Sequence, residues 1–400
     1  MKIIIHTDEY YPTAQACAYR MQVLADSFTD NGNEVTVITS SANKESGEAD
    51  LSSRREKIIF SPTVSMKKKT SLMRLLNNAS FGLTSFFSAL RAGSADVVIT
   101  TSPPALISIS GWLIARIKRA KLVYDVRDVW PDVALEMGSF TEDSLFCRIF
   151  SAITSFMYKH ADVITTVSAG KVAKLSGYAA ARDKKRSDKV LLVSNGFDES
   201  VADYDFYQDV IDKYEIDRKP TCVYIGNIGL AQGLGALLDL AHETRHKEIQ
   251  FLCFGKGAEK EMLEKRVADE GLTNVRFCGV IEHEKVFSVL SRAKLSFIPL
   301  KSGNMKDSVP TKIYEALGVG CPVLLVAEGD AAAIVDEAGL GVHVPPDDKQ
   351  ALTAAFDGML DDYDRYTANK EHSMRLMRSK YSRQESARAF EEQLHNLCGK

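Results

Sequence analysis

Short apolar runs alternate with helical segments along most of this 400-residue chain, and this alternation limits the folds that it can adopt. A repeated strand-helix-strand pattern produces parallel sheets with helices packed on their faces. The sequence therefore predicts an α/β fold with two parallel sheets. Strands are expected in the first half at Lys2–His6, Glu34–Thr39, Lys57–Phe60, Asp96–Thr101, Lys121–Val126, Asp162–Val167 and Val190–Asn195, and in the second half at Thr221–Ile225, Ile249–Gly255, Asn274–Cys278, Leu295–Leu300, Pro322–Ala327 and Gly341–Val344.

The alternation lapses once, in a polar, turn-rich stretch after Phe197, and starts again at Thr221. A chain of this length is too long for one ordinary core and suits two domains. We therefore predict domains at 1–198 and 199–380, followed by a helical segment at 381–400. Ligands of parallel sheets bind outside the carboxyl ends of the strands, so the functional cleft is expected where those ends of both sheets face each other.

Composition indicates a cytoplasmic protein and gives no sign of a metal site. The seven cysteines are scattered without a CxxC pair or metal-ligand spacing, as in proteins of a reducing cytosol. The opening apolar run is too short for a signal peptide, and no stretch is long and apolar enough for a membrane span, so a cytoplasmic protein is expected. The histidines are dispersed, and His242 and His246, although at helical ligand spacing, read as a solvated face; no metal site is expected.

The segment DSVPTKIYE, Asp307 to Glu315, places two acids eight positions apart around a proline. If a helix starts near Thr311, its first N–H groups suit a phosphate, and Glu315 one turn further suits a sugar diol. This pattern indicates a nucleotide-sugar site. The alternative is an ordinary helix capped by Ser308 or Thr311, with Glu315 in solvent.

Glycines close several of the predicted strands. The run GNIGLAQGLG follows the strand at Thr221–Ile225, and Gly255-Lys256-Gly257 follows the next strand, so backbone N–H groups can approach a diphosphate there. Lys256 either pairs with phosphate or is simply solvated. The run is neither GxGxxG nor a P-loop, which argues against a nicotinamide oxidoreductase.

One stretch departs from a plain α/β pattern. Residues 54–74 hold seven Lys or Arg, including Lys67, Lys68 and Lys69, against one acid, and an apolar segment with several apolar faces follows. The first 198 residues hold 25 Lys and Arg against 20 Asp and Glu, whereas the remainder holds 25 against 33. If the apolar segment after this basic cluster is a helix, it suits docking on an anionic bilayer. The alternative is a core helix behind a solvated loop.

Taken in order, several motifs together resemble glycosyltransferase family 4, a family of retaining enzymes. They are EYYPTAQACAYR, VYDVRDVWPDVALEMG, TTVS, VSNGFD, YIGNIGLAQGL, FGKGAEKEML, NVRFCGVI and DSVPTKIYEALGVGCPV. The resemblance covers nearly the whole chain. It implies the GT-B fold, in which two Rossmann-like domains face each other across a cleft and a C-terminal helix crosses back onto the first domain.

The resemblance also assigns roles to residues of this chain. Donor binding is expected at Gln15, Gly226, Asn227, Gln232, Gly257, Val280, Val309, Thr311, Lys312 and Glu315; catalysis at Asp307, Arg127 and Lys256; and acceptor binding at Asp128, Trp130 and Asp132. Asn227 and Gln232 replace two cations of the family pattern, so other donors must neutralise a diphosphate. Asp128 and Asp132 either orient an acceptor hydroxyl or form salt bridges to Arg127.

The activity that the resemblance implies is metal-independent transfer, with retention, of a hexose or N-acetylhexosamine, including deoxy amino sugars. The expected donor is a nucleoside-diphosphate sugar, UDP-linked, and the acceptor a lipid-diphosphate-linked glycan of bacterial surface polysaccharide such as O-antigen or capsule. The enzyme would lie on the inner face of the cell membrane, with no nucleic-acid partner and no cofactor. Two alternatives stay open: a nucleotide-sugar 2-epimerase of the same fold, and a nucleotide-sugar-binding protein without turnover.

Overall fold

The computed structural model describes residues 1–13, 16–46, 51–64, 71–136, 141–180, 188–201, 204–301 and 305–399. Contacts between residues divide the chain into two units. The first comprises Met1–Asn195 together with Arg383–Lys400, and the second comprises Gly196–Ser382. The sequence predicts boundaries at 198 and 380. The first unit is therefore built from both ends of the chain, and the second from one continuous stretch.

The first unit contains a seven-stranded parallel sheet with the order β3-β2-β1-β4-β5-β6-β7. Its strands are β1 (Lys2–His6), β2 (Glu34–Ser40), β3 (Lys57–Ser61), β4 (Val97–Ser102), β5 (Lys121–Val126), β6 (Val163–Thr166) and β7 (Val190–Leu192). The helices between them are α1 (Ala16–Asp30), α2 (Ser71–Leu90), α3 (Ser108–Lys118), α4 (Asp132–Glu136), α5 (Leu145–His160) and α6 (Ala169–Ala180).

The apolar runs that predict these strands are continuous because both faces of the sheet are covered. Ile3 and Ile5 lie in one core with helix α1, whereas Ile4 lies in a second core with residues of α3 and α5. Alternate side chains of a strand point to opposite faces, so each core receives every second residue. The predicted α/β class with parallel sheets is confirmed.

The second unit repeats the design with a six-stranded parallel sheet in the order β10-β9-β8-β11-β12-β13. Its strands are β8 (Thr221–Ile225), β9 (Gln250–Phe254), β10 (Val275–Gly279), β11 (Leu295–Pro299), β12 (Val323–Val326) and β13 (Gly341–Val344). Its helices are α7 (Gln208–Lys213), α8 (Gly235–Glu243), α9 (Lys260–Asp269), α10 (His283–Arg292), α11 (Thr311–Gly318), α12 (Asp330–Ala338), α13 (Lys349–Asp361), α14 (Tyr363–Thr367) and α15 (Lys370–Arg378).

The last helix, α16 (Arg383–Cys398), belongs to the first unit and packs against α1. Phe390 and Leu394 are buried in the same core as Ile3 and Phe28. The buried carboxylate of Glu391 accepts a hydrogen bond from the side-chain amide of Asn31 at 2.7 Å, and a second from that of Asn33. Apolar burial and a satisfied polar contact thus fasten this helix to the first sheet.

None of the helices in the described ranges combines the length and the apolarity needed to cross a bilayer.

Candidate active site

The second sheet has a switch point between β8 and β11, where the strand order turns from one direction across the sheet to the other. The glycine-rich loop at 226–234 leaves the carboxyl end of β8, and the segment at 305–310 leaves that of β11 before helix α11 begins. A switch point opens a crevice at the carboxyl edge, because the two connections leave in opposite directions. The predicted donor-binding residues after these two strands therefore meet at one edge.

Glycine is required where the loops after β8 and β9 pack backbone to backbone. Gly226 and Gly255 have φ angles of 147° and 145°, and a Cβ on Gly255 would lie 1.8 Å from the carbonyl oxygen of Gly226. A Cβ on Gly257 would lie 2.0 Å from the carbonyl oxygen of Ile228. The Ile228 N–H donates to the carbonyl of Lys256 at 2.9 Å. These contacts hold the two loops in one arrangement.

Asn227 and Gln232, the amides at the expected phosphate positions, bond to each other within this loop. The Gln232 Oε1 atom accepts from the Asn227 Nδ2 atom at 3.4 Å and from the Gly229 N–H at 3.2 Å. The Tyr224 hydroxyl donates to the carbonyl of Asn227. The two amides thus shape the loop.

Lys312, in the first turn of α11, provides a cation at this edge. A Cβ on Gly226 would lie 2.6 Å from its Cε and 2.7 Å from its Nζ, so the ammonium occupies the space that the glycine leaves open. The Nζ donates to the Tyr224 hydroxyl at 2.9 Å and lies 4.0 Å from the centre of the Tyr224 ring. No carboxylate of the described residues lies within 4.0 Å of it. Burial lowers the pKa of Lys312 to about 8, although Glu315 acts in the opposite direction.

The start of helix α11 has no side-chain cap. Pro310 occupies the N-cap position with ψ of 134°, and no side chain there accepts a hydrogen bond from the first turn. The alternative of capping by Ser308 or Thr311 is therefore wrong. Val309 and Thr311 flank this N-terminus, and Glu315 is partly buried one turn further along. The uncapped N–H groups and the helix dipole favour an anion at this place.

The remaining residues expected in the second domain lie around this edge. Asp307 is partly buried in the turn before α11, whereas Lys256 is exposed in the loop after β9. Val280 follows β10 and is 68% exposed. It borders a cavity of about 120 Å³ that Tyr214 and Lys285 also line.

The first sheet has its own switch point, between β1 and β4. Arg127, expected to be catalytic, follows β5 at the same carboxyl edge. Its backbone N–H donates to the carbonyl of Ser102 at 2.9 Å, and its Nη2 atom donates to the carbonyl of Pro103 at 2.5 Å. The chain that continues β4 therefore positions this guanidinium.

Of the three residues expected to bind an acceptor, Asp132 has a structural partner. Its carboxylate lies 2.9 Å from the ammonium of Lys174 and accepts from the Tyr178 hydroxyl at 2.6 Å, both on α6. The alternative of a salt bridge from Asp132 to Arg127 is therefore wrong. Trp130 packs its ring 5.3 Å from that of Phe150, and Asp128 is partly buried beside Arg127 in the chain.

Two acidic residues at this edge were not predicted to belong to a site. Asp8 and Glu9 directly follow β1, and burial raises the pKa of each, that of Asp8 to about 7. The signal in the sequence is their place: an acidic pair immediately after the first predicted strand.

Gln15, Lys67, Lys68 and Lys69, which the sequence assigns to donor or membrane contacts, lie outside the described residues.

Within the described ranges, no three His, Cys, Asp or Glu side chains come together as a metal site would require. His246, which has helical spacing to His242, instead lies 3.2 Å from carboxylate oxygens of Glu248 and Asp361.

Comparison with known proteins places both units in known families. Residues 16–196 match the family described as Glycosyl transferase 4-like domain, and residues 207–379 match that described as Glycosyl transferases group 1. The glycosyltransferase WbjE of Pseudomonas aeruginosa is 26% identical over 75% of this chain and 77% of its own length. WcaI of Escherichia coli, a colanic acid biosynthesis glycosyl transferase by name, is 24% identical over 89% of this chain and 91% of its own.

Among solved structures, HepE of Anabaena in complex with UDP and glucose has a TM-score of 0.75, with 15% identity, over 99% of this chain and 100% of its own. This likeness concerns the fold, which is that of the GT-B glycosyltransferases. The two matched families together span most of the chain, one for each sheet. The chain therefore belongs to the family 4-like glycosyltransferases, enzymes with a glycosyl transferase 4-like domain followed by a glycosyl transferases group 1 domain.

Proposed function

We propose that this glycosyltransferase moves a hexose or N-acetylhexosamine from a UDP-sugar to a lipid-diphosphate-linked glycan during assembly of a bacterial surface polysaccharide. The name of WcaI supports the pathway, and the UDP and glucose bound to HepE support the donor class. In this proposal the second unit binds the donor and the first unit binds the acceptor.

The observation that carries the donor assignment is the position of Lys312. A half-buried ammonium that has no carboxylate partner among the described residues costs free energy unless an anion binds it. It lies against Gly226, at the switch point, beside the uncapped start of α11. A diphosphate bound here would receive a charge-assisted hydrogen bond from Lys312 and further hydrogen bonds from backbone N–H groups. Lys312 thereby takes the role of the cations that Asn227 and Gln232 replace.

The ribose of the donor would then lie one helical turn further along, with its diol on the carboxylate of Glu315. Transfer with retention breaks the bond between the anomeric carbon and the diphosphate oxygen and forms a bond to the acceptor oxygen on the same face. The electron pair and the acceptor proton both go to the departing diphosphate. Lys312, Lys256 and the backbone N–H groups stabilise its growing charge, and Asp307 lies near the donor sugar. Arg127, Asp128 and Trp130 serve the acceptor in the first unit.

A test of the donor assignment uses calorimetry with UDP and transfer assays with UDP-glucose, UDP-galactose and UDP-N-acetylglucosamine. Lipid-linked glycans extracted from bacterial membranes serve as acceptors. Glu315→Ala should weaken UDP binding about tenfold or more, because it removes a charged hydrogen-bond acceptor, while the unfolding temperature stays unchanged. Glu261→Ala, an exposed acid on α9, is the matched control.

Chelation by EDTA should leave transfer intact, because an ammonium and N–H groups balance the diphosphate charge in this proposal. Equal transfer rates of Glu315→Ala and the unaltered enzyme would refute the donor site. Epimerised sugar from donor alone, without acceptor, would favour the 2-epimerase. UDP binding without product from any acceptor would favour a protein without turnover.

We further propose that helix α2 of the first unit docks on the anionic inner face of the cell membrane. Phe81 and Ala89 face the core, whereas other apolar side chains of the same helix are exposed, Leu83 by 63% and Phe87 by 55%. Helix α3, which packs against α2, also exposes an apolar side chain, Ile117 by 55%. The basic side chains exposed around it are Arg91, Arg116 and Arg119.

Exposed leucine and phenylalanine beside arginine suit a bilayer interface, since the apolar groups enter the headgroup region and the cations pair with anionic lipid. The double change Leu83→Ser and Phe87→Ser should reduce co-sedimentation with phosphatidylglycerol vesicles severalfold. Changing Lys67, Lys68 and Lys69 to Ser should do the same. Met262→Ser, which alters an exposed side chain of the second unit, is the control. Undiminished sedimentation of both variants, or equal binding to neutral phosphatidylcholine, would overturn this docking surface.

A further inference from the structure

Two buried polar atoms at the switch point of the first sheet have no hydrogen-bond partner among the described residues. They are the Oδ1 atom of Asp8, in the loop after β1, and the Nε atom of Arg127, after β5. The two side chains interact electrostatically, yet within the described part of the chain they are not paired within 4.0 Å. Leaving such groups unsatisfied is unfavourable, and native proteins do so mainly where function requires it.

The surrounding contacts hold the loop that carries Asp8 and the guanidinium of Arg127. The Asp8 carbonyl accepts hydrogen bonds from the Asn43 side-chain amide at 2.8 Å and from the Thr39 hydroxyl at 3.2 Å, which anchors the loop to the end of β2. Thr13, further along the loop, donates its hydroxyl to the Oδ1 atom of Asn43 at 3.0 Å. On the other side, Pro103 holds the guanidinium of Arg127 through its Nη2 atom. The loop and the guanidinium are therefore held in place before any ligand arrives.

The missing partners define the ligand chemistry. Asp8 needs a hydrogen-bond donor, and the Nε–H group of Arg127 needs an acceptor. A hydroxyl group provides both, since its proton is donated while its oxygen accepts. An anion would satisfy only Arg127, and a cation only Asp8.

We propose that Asp8 and Arg127 together bind one hydroxyl group of the acceptor sugar, with the carboxylate accepting from the O–H and the Arg127 Nε–H donating to the oxygen. This inference rests on the proposed function, because only a transferase has an acceptor. It assigns Asp8 as an acceptor-binding residue and specifies how Arg127 contributes. Both residues touch the substrate and orient the hydroxyl for attack, and the proton of that hydroxyl still goes to the departing diphosphate.

The charge state of Asp8 changes near neutral pH. Burial and then the neighbouring Glu9 raise the pKa of Asp8 to about 7, against the opposing effect of Arg127. Two other titratable groups interact with Asp8, and neither changes charge near pH 7. Arg127 stays positively charged, and the Cys17 thiol on α1 stays neutral, since burial raises its pKa to about 12. The ionised carboxylate is the stronger acceptor for a hydroxyl, so acceptor binding should improve as pH rises through about 7.

The kinetic test uses a saturating UDP-sugar and lipid-linked glycans extracted from bacterial membranes. Asp8→Asn should lower kcat/KM for the acceptor about 10- to 100-fold, the usual effect of losing a charged hydrogen bond, and leave UDP affinity unchanged. The unaltered enzyme should gain kcat/KM for the acceptor through pH 7, and Asp8→Asn should lose that dependence. Arg127→Lys should lower the same constant, because an ammonium cannot reproduce the Nε–H direction. Glu142→Gln, which alters an exposed acid ahead of α5 in the same unit, is the control and should have little effect.

A second measurement needs no acceptor. An acid whose pKa is raised by folding destabilises the folded state once the pH exceeds its unfolded value of about 3.9. Asp8→Asn should therefore raise the unfolding temperature by a few degrees at pH 8 and change it little at pH 4. A lowered unfolding temperature at pH 8 would mean that the carboxylate has a structural partner and would overturn the proposal.

Unchanged acceptor kinetics together with a raised unfolding temperature would show that Asp8 and Arg127 bind only water. That result would also overturn the proposal. A failure of the proposed function gives a different result. In that case UDP binding is absent in the unaltered protein, while the thermal effect of Asp8→Asn persists.

Discussion

Lys312 is the side chain on which donor binding depends most directly in this chain. Its ammonium lies against Gly226 and donates a hydrogen bond to the Tyr224 hydroxyl. Lys312→Met keeps most of the side-chain volume and removes the charge, so UDP affinity should fall about 10- to 100-fold, or roughly 1.4 to 3 kcal/mol. Calorimetry with UDP measures this change. Lys301→Met, an exposed lysine after β11, should bind UDP as the unaltered protein does; equal losses in both variants would indicate a general effect of net charge.

The lowered pKa of Lys312 also predicts a pH dependence. In the free protein the ammonium with a pKa of about 8 is mostly charged at pH 7 and mostly neutral at pH 9. UDP affinity should therefore decline across this interval, by about tenfold if only the charged form binds. The phosphate groups of UDP titrate lower, with a second pKa of about 6, and do not contribute. In Lys312→Met the affinity should be flat from pH 7 to pH 9, and a decline of the same size in that variant would assign the titration to another group.

The loops after β8 and β9 act as one element because their backbones touch at glycines. Gly257→Ala would place a Cβ 2.0 Å from the carbonyl oxygen of Ile228, so the glycine-rich loop must move. We expect a loss of about 1–3 kcal/mol in the free energy of unfolding and weaker UDP binding. Gly358→Ala on helix α13 meets no atom within 4 Å and should stabilise the protein by about 0.5–1 kcal/mol. Thermal unfolding and calorimetry compare the two, and an unaffected Gly257→Ala would show that the loop packing is loose.

Secondary-structure elements were more predictable than the contacts between them. Every strand in the described ranges overlaps a predicted apolar run, because strands buried on both faces leave a continuous signal. Helix α7 was not predicted in the polar stretch after Phe197, because only Val210 and Ile211 of its six residues are buried. The position of Lys312 against Gly226 and the pairing of Asp132 with Lys174 depend on packing between separate segments, which spacing along the chain does not reveal. The hydrogen bond between Asn227 and Gln232 depends on the conformation of a single loop.

The last helix of the chain completes the core of the first unit. Helix α16 returns after the whole second unit and supplies Ala387, Phe390 and Leu394 to the core behind β1 and β4. Whatever the first unit binds, its sheet edge therefore depends on residues nearly four hundred positions away from β1. The second unit, by contrast, uses a single continuous stretch for its sheet and its donor loops.

This arrangement predicts that damage to α16 affects the two units differently. Leu394 is fully buried, so Leu394→Ala should cost about 2–5 kcal/mol in the stability of the first unit through lost apolar burial and a cavity. Differential scanning calorimetry should show a lower unfolding temperature for the first unit. The unfolding temperature of the second unit, identified as the one that UDP raises by mass action, should stay the same. Glu392→Ala, exposed on the same helix, should leave both unchanged. A Leu394→Ala variant that lowers the UDP-sensitive transition by the same amount would show that the two units unfold as one.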